Sequence, residues 1–111
     1  MPNIFDLPQP HPDHEYFQTL QHSPNITIER ILSWGHTTPE GEWYDQDRDE
    51  WVVLLQGHAT LTYSDGRNTQ LQAGDYLLLP AHCRHQVTAT STNPPCIWLA
   101  VHGGLCTPDN C

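Results

Sequence analysis

Short alternating stretches of apolar and polar residues run through most of the chain. In residues 26–36, Ile26, Ile28 and Leu32 fall on one side of an extended segment, and polar Thr27 and Glu29 fall on the other. This period of two predicts a β-strand. No run of a dozen residues keeps the 3.6-residue period of an amphipathic helix. Short apolar runs at residues 51–55, 76–79 and 96–102 predict buried strands. About eight strands with turn signals between them predict an all-β sandwich or barrel; they span residues 26–36, 43–46, 51–55, 58–63, 68–72, 76–79, 84–90 and 96–102.

The two ends of the chain lack this pattern. Residues 1–24 are rich in Pro, His and Asp, and we expect an irregular N-terminal arm with a short turn of helix near residues 14–20. Residues 25–103 would form the barrel, and residues 104–111 a flexible tail. Within the barrel, Asp65-Gly66 supplies the positive φ of a tight turn, which predicts a hairpin between residues 58–63 and 68–72.

Composition narrows the range of functions. A chain of 111 residues forms one domain, and its formal net charge of −9 disfavours nucleic acid and anionic membranes as partners. No apolar run reaches the ~20 residues of a membrane span, and the N-terminus lacks the regions of a signal peptide. These features predict a cytoplasmic protein. In that reducing compartment the four cysteines would be free thiols, namely Cys83, Cys96, Cys106 and Cys111. None of them forms a Cys-x-x-Cys pair, so no redox motif or zinc site is indicated.

Two spaced motifs within residues 26–102 resemble those of the cupin family. Gly74 is followed by Pro80 and His85, and Glu50 is followed by Gly57, at the spacings of the two cupin motifs; His82 occupies a position where glycine is usual. The resemblance implies a double-stranded β-helix, or jelly-roll, barrel. It also implies that Glu50 and His85 bind a divalent metal ion in the barrel mouth.

The first motif departs from the family pattern. Cupins usually open it with His-x-His, whereas this chain has Tyr44 and Gln46, or Trp43 and Asp45, at those positions. The usual three-histidine, one-glutamate site therefore cannot be assembled in the usual way.

Other donors near the motifs offer a different metal site. Zinc, iron, manganese and nickel all accept imidazole nitrogen and carboxylate oxygen. A pair of histidines with one carboxylate would leave coordination positions open for substrate. The candidate ligands are His85, His82, Glu50, Asp45 and Gln46, with His102 less directly placed. The rival interpretation is a metal-free pocket, in which His82 caps a turn and His85 forms a hydrogen bond with Glu50.

These residues predict an interaction with a small, oxygen-rich metabolite. In one hypothesis the chain is a metal-dependent dioxygenase, isomerase or lyase, in which Glu50 and Tyr44 are catalytic and Tyr44 donates a proton. The alternative is a non-catalytic ligand-binding or structural cupin. Exposed sheet edges and faces also predict a homodimer, with Trp43, Trp51 and Trp98 in the barrel wall or at the dimer surface. Arg84 is expected to form a structural ion pair.

Overall fold

The computed structural model describes residues 1–10 and 13–109, which form two antiparallel β-sheets and contain no helix. The strands are β1 (Tyr16–His22), β2 (Ile26–Ser33), β3 (Asp49–Gln56), β4 (His58–Tyr63), β5 (Asn68–Gln72), β6 (Tyr76–Leu79), β7 (His85–Thr90) and β8 (Cys96–Gly103). The larger sheet has the order β1-β2-β8-β3-β6, and the smaller has the order β5-β4-β7. The predicted all-β double-sheet fold is confirmed. The described part of the chain has no helix with the length and apolar character needed to cross a bilayer.

The hydrophobic core lies between the inner faces of the sheets. Strand β8 is central in the larger sheet, because it pairs with β2 on one side and β3 on the other. The core includes Val52, Leu54, Leu61, Leu71, Leu79, Trp98 and Ala100. Since side chains alternate along a strand, the same inward rows continue to Glu50 on β3 and His102 on β8. These two residues are paired across the strands, so both apolar rows end in polar groups at one end of the sandwich.

The N-terminal segment is more ordered than its composition indicated. Residues Tyr16–His22 form an edge strand paired with β2, so the predicted turn of helix is wrong. Most side chains of β1 are exposed. Its sequence therefore has no apolar alternation from which a strand could be predicted. Arg30 fixes the preceding segment, because its guanidinium donates hydrogen bonds to Gln18 Oε1 at 2.9 Å, to the Ile4 carbonyl at 3.0 Å and to the Asp6 carbonyl.

The segment predicted as a strand at residues 43–46 forms only an isolated bridge. Tyr44 N donates to the His85 carbonyl at 2.8 Å, and His85 N donates back to the Tyr44 carbonyl at 3.1 Å. This reciprocal pair attaches the loop before β3 to the first residue of β7. Beside it, the Arg84 guanidinium lies 5.3 Å from the Trp43 ring centre, a cation–π contact in place of the predicted ion pair.

Asp49 links three distant parts of the backbone. Its carboxylate accepts hydrogen bonds from the amides of Ala81 at 2.8 Å, Leu105 at 2.8 Å and Cys106 at 2.9 Å. These donors hold the pKa of the Asp49 carboxyl below its ordinary value. The carboxylate thus attaches the loop before β7 and the segment after β8 to the start of β3.

The cysteines differ in oxidation state. Cys83 and Cys96 are free thiols, as predicted, whereas Cys106 is disulfide-bonded and the prediction of a free thiol there is wrong. Cys111 lies outside the described residues. The predicted division into arm, barrel and tail stays a prediction.

The motif glycines and the predicted hairpin have clear backbone roles. Gly57 has φ of +89°, and a Cβ atom there would lie 2.6 Å from Ser91 Oγ, so a larger residue would be strained and crowded. The Asp65-Gly66 hairpin is confirmed, since Tyr63 N donates to the Arg67 carbonyl at 2.9 Å. His82 is a non-glycine residue with φ of +63°, which explains why the cupin pattern has glycine at this position.

We predict that the left-handed backbone at residue 82 costs stability. Because glycine adopts this conformation without steric strain, His82→Gly should have a free energy of unfolding about 1 kcal/mol higher than His82→Ala. Both variants lack the imidazole, so the comparison isolates the backbone contribution. Urea unfolding followed by tryptophan fluorescence measures the difference, and equal stability of the two variants would contradict the prediction.

A candidate ligand-binding cavity between the sheets

A cavity of about 390 Å³ lies between the two sheets. Its apolar walls come from the inward rows of both sheets and include Ile31, Val52, Leu61, Leu79, Val87 and Trp98. Its polar residues are Glu15, Glu29, Tyr44, Gln46, Glu50, His85 and His102. An apolar cavity with a small group of converging polar side chains is the usual form of a small-molecule site.

Glu50 and His85 both line this cavity. The Glu50 carboxylate accepts a hydrogen bond from Gln46 Nε2 at 3.2 Å. His85 is 5% exposed, and its Nδ1 lies 2.9 Å from the Cys83 carbonyl oxygen. The motif residues from β3 and β7 therefore line one cavity from opposite sheets, although their chemical roles stay a prediction.

Tyr44 lies against His85 in the cavity wall. Their ring centres are 5.3 Å apart and the planes differ by 20°, so the rings are stacked. The Tyr44 hydroxyl donates a hydrogen bond to Glu15 Oε1 at 3.4 Å. Burial raises the pKa of the phenol, and the nearby Glu15 carboxylate raises it further. Tyr44 therefore remains protonated at neutral pH and acts as a hydrogen-bond donor.

Glu15 is a cavity residue that sequence reasoning missed. It directly precedes β1, and its Oε2 accepts a hydrogen bond from Ser33 Oγ at 2.8 Å. Burial raises the pKa of its carboxyl group, while the Ser33 and Tyr44 hydrogen bonds act in the opposite direction. The segment before β1 has no apolar period, so its sequence carried no signal for an inward side chain at this position.

Glu29 was also missed, whereas His102 had been a weaker candidate. His102 Nε2 lies 3.1 Å from Glu29 Oε1, and both side chains are largely buried. The hydrogen bond to Glu29 raises the pKa of His102, with a smaller contribution from the Glu50 charge. Glu29 lies in the alternating segment predicted as a strand. The alternation predicted that this strand has two different faces, but it did not show which face would line the cavity.

His82 and Asp45 occupy a different place from the other candidates. They pair with each other through His82 Nδ1 and Asp45 Oδ1 at 2.9 Å, with 69% and 47% of their side chains exposed. Neither lines the cavity between the sheets; both line a separate, more open depression beside Arg48. Gln46 lines both sites and donates to Glu50.

Comparison with known proteins agrees with this architecture. Residues 34–102 match the family model described as the cupin domain, which is more than half of the chain. The chain belongs to the cupin family. No curated protein matches its sequence.

Solved structures extend the comparison. A Ralstonia eutropha JMP134 protein described as a candidate mannose-6-phosphate isomerase is 42% identical, with a TM-score of 0.86 over 94% of this cupin and 97% of that chain. A cupin superfamily protein of Desulfitobacterium hafniense DCB-2 is 21% identical, with a TM-score of 0.71 and coverage of 86% and 83%. An RmlC-like cupin of Desulfovibrio desulfuricans is 14% identical, with a TM-score of 0.72 and coverage of 92% and 94%. The latter two show similarity of fold alone.

The donor set does not fit the predicted metal site. Cupins commonly bind divalent metals, but within residues 1–10 and 13–109 no group of three His, Cys, Asp or Glu side chains is placed to hold an ion. Two of the expected ligands, His82 and Asp45, pair outside the cavity. Inside it, His102 is paired with Glu29, and no third His, Cys, Asp or Glu among the described residues is grouped with Glu50 and His85 to hold an ion.

We predict that the Glu29–His102 pair makes stability depend on pH. Because the folded pKa of His102 lies above its ordinary value of 6.5, the pair contributes fully below about pH 6.5. Its contribution falls as pH rises through the raised folded value. The wild type should exceed Glu29→Gln in free energy of unfolding by ~1 kcal/mol at low pH, and this difference should shrink at high pH.

Urea unfolding of both proteins across pH 5–9 measures this difference. This pH range spans the protonation of a histidine side chain. Glu40→Gln serves as the control, because Glu40 is exposed and lies outside the cavity lining. A difference between wild type and Glu29→Gln that stays constant or grows with rising pH would contradict the assignment.

Proposed function

We propose that this cupin binds a small, hydroxyl-rich metabolite in the cavity between its sheets. The most direct support is that one cavity of about 390 Å³ has both apolar walls and a cluster of carboxylates. A cavity of this size suits a sugar-sized molecule. Its apolar walls would contact the carbon skeleton, and Glu15, Glu29 and Glu50 would accept hydrogen bonds from hydroxyl groups.

The comparison with the R. eutropha protein supports the same class of ligand. That protein is described as a candidate isomerase of a sugar phosphate and is 42% identical to this cupin over nearly the whole chain. A related activity here would require proton transfer between carbon or oxygen atoms of the ligand. Glu50 and Glu15 are the carboxylates beside Tyr44 that would serve as proton acceptors.

The predicted metal-dependent chemistry receives less support from the geometry. Because the expected ligands do not converge, we assign the binding role to the protein side chains themselves. This agrees with the alternative hypothesis from the sequence, in which the pocket binds a ligand without a metal ion.

We predict that filling the cavity abolishes ligand binding. Val87 lines the cavity, whereas its neighbour Thr88 is exposed on the other face of β7. Val87→Trp should weaken the binding of a free hexose by at least about tenfold, equivalent to ~1.4 kcal/mol, because the indole would occupy the ligand's space. Thr88→Trp is the matched control and should bind like the wild type.

Isothermal titration with glucose and mannose, performed in EDTA, measures the affinities. A thermal melt of each variant establishes that it is folded. Absence of saturable hexose binding by the wild type, or equal binding by a folded Val87→Trp, would contradict the proposed function.

We also propose that the chain forms a homodimer through the outer face of the larger sheet. Trp51, Leu78, Val101 and Leu105 line an apolar depression of about 260 Å³ there. Tyr76 lies beside it, with its ring centre 5.5 Å from that of Trp51 and 67% of its surface exposed. A sheet with apolar residues on both faces needs a second covering layer, which another copy of the chain would provide.

We predict that a charge on this face dissociates the dimer. Tyr76→Glu places a carboxylate in an interface that excludes water, whereas Leu20→Glu introduces the same group on exposed β1 at the far edge of the sheet. Sedimentation equilibrium should show a wild-type dimer, a Tyr76→Glu monomer and a Leu20→Glu dimer. A monomeric wild type, or a dimeric Tyr76→Glu, would refute this interface.

A further inference from the structure

The tautomer of His85 is fixed by its backbone partner. Nδ1 lies 2.9 Å from the Cys83 carbonyl oxygen, which can only accept a hydrogen bond. Nδ1 therefore carries the proton, and in the neutral ring Nε2 presents a lone pair. His85 is 5% exposed and lines the cavity, and Nε2 has no hydrogen-bond partner among the described protein residues. Nε2 is thus an acceptor in the cavity wall that receives no hydrogen bond from the described residues.

The donors in the wall are largely engaged by its own carboxylates. Glu15 accepts from Ser33 Oγ at 2.8 Å and from the Tyr44 hydroxyl at 3.4 Å. Glu50 accepts from Gln46 Nε2 at 3.2 Å, and Glu29 lies 3.1 Å from His102 Nε2. Each ionised carboxylate offers about four lone-pair positions. Three of them therefore leave many acceptor positions beyond those four hydrogen bonds, and His85 Nε2 adds one more.

The negative charge of the cavity wall also favours a ligand that donates hydrogen bonds and carries a positive charge. Three glutamates line the cavity, and no Lys or Arg is among its described lining residues. His102 compensates Glu29 when it is protonated. None of the salt bridges among the described residues involves Glu15 or Glu50, although His36 lies near enough to Glu15 to lower the pKa of that carboxyl. The aromatic side chains of Tyr44 and Trp98 also line the cavity, and aromatic rings attract cations.

We propose that the cavity selects a hydroxyl-rich molecule that carries an ammonium group, such as an amino sugar, and rejects the phosphorylated counterpart. This inference rests on the proposed function and names the substrate class of the same site. An ammonium group has three N–H donors and no acceptor, which complements the surplus of acceptors in the wall. A phosphate ester would instead meet carboxylates without a basic partner among the described lining residues.

Titration calorimetry with matched hexoses tests the inference. Glucose, glucosamine and glucose 6-phosphate are compared, with the corresponding mannose series, in EDTA and at a pH where the amines are protonated. The wild type should bind the amino sugar at least about tenfold more tightly than the parent sugar. The phosphorylated sugar should show no saturable binding.

Charge-neutralising variants identify the residues that cause the preference for the amino sugar. Glu50→Gln and Glu15→Gln keep the side-chain shape and remove one negative charge each, so each should reduce the ratio of amino-sugar to parent-sugar affinity. Glu40→Gln removes the same charge from an exposed position and should leave the ratio unchanged. A thermal melt establishes folding, and Glu15→Gln alone decides the point if Glu50→Gln does not fold.

The outcomes separate this inference from the proposed function. Equal affinity for amino and parent sugars, or tighter binding of the phosphorylated sugar, would overturn the inference and leave the proposed function standing. An unchanged affinity ratio in folded Glu15→Gln would also overturn it. Failure of every hexose to bind would overturn the proposed function and the inference with it.

Discussion

The reciprocal backbone pair between Tyr44 and His85 is the contact on which the cavity depends. Two hydrogen bonds, at 2.8 and 3.1 Å, and the stacked rings hold the loop before β3 against the start of β7. Residues Tyr44 and Gln46 reach the cavity because the loop is fixed there. His85 lines the cavity together with residues of the larger sheet, so this bridge lies beside side chains from both layers of the sandwich.

Burying carboxylates between two sheets is costly unless each has a hydrogen-bond partner. The cavity meets this requirement with donors from different elements: Gln46 for Glu50, His102 for Glu29, and Ser33 with Tyr44 for Glu15. No buried side-chain nitrogen or oxygen in the described residues lacks a partner. The polar end of the cavity is thus a connected part of the fold, and its remaining lone pairs face the space where a ligand would lie.

Much of the barrel could be predicted from the period of two in its sequence. Alternation predicted β2, β4 and β7, and the spacing of Glu50 and Gly57 indicated the first cupin motif. Edge strand β1 escaped because most of its side chains are exposed and show no apolar alternation.

The candidate site was less predictable, because the direction of a loop side chain depends on tertiary contacts. Nothing local in the sequence shows that His82 would pair with Asp45 outside the cavity. Glu15 could not be found either, since it reaches the site only through the pairing of β1 with β2.

The tautomer of His85 tests the central claim most directly, namely that an acceptor nitrogen of this ring faces the cavity. Long-range ¹H–¹⁵N correlation spectra of histidine-labelled protein should show a protonated Nδ1 and an unprotonated Nε2 at this residue. A protonated Nε2 with a bare Nδ1 would contradict the account.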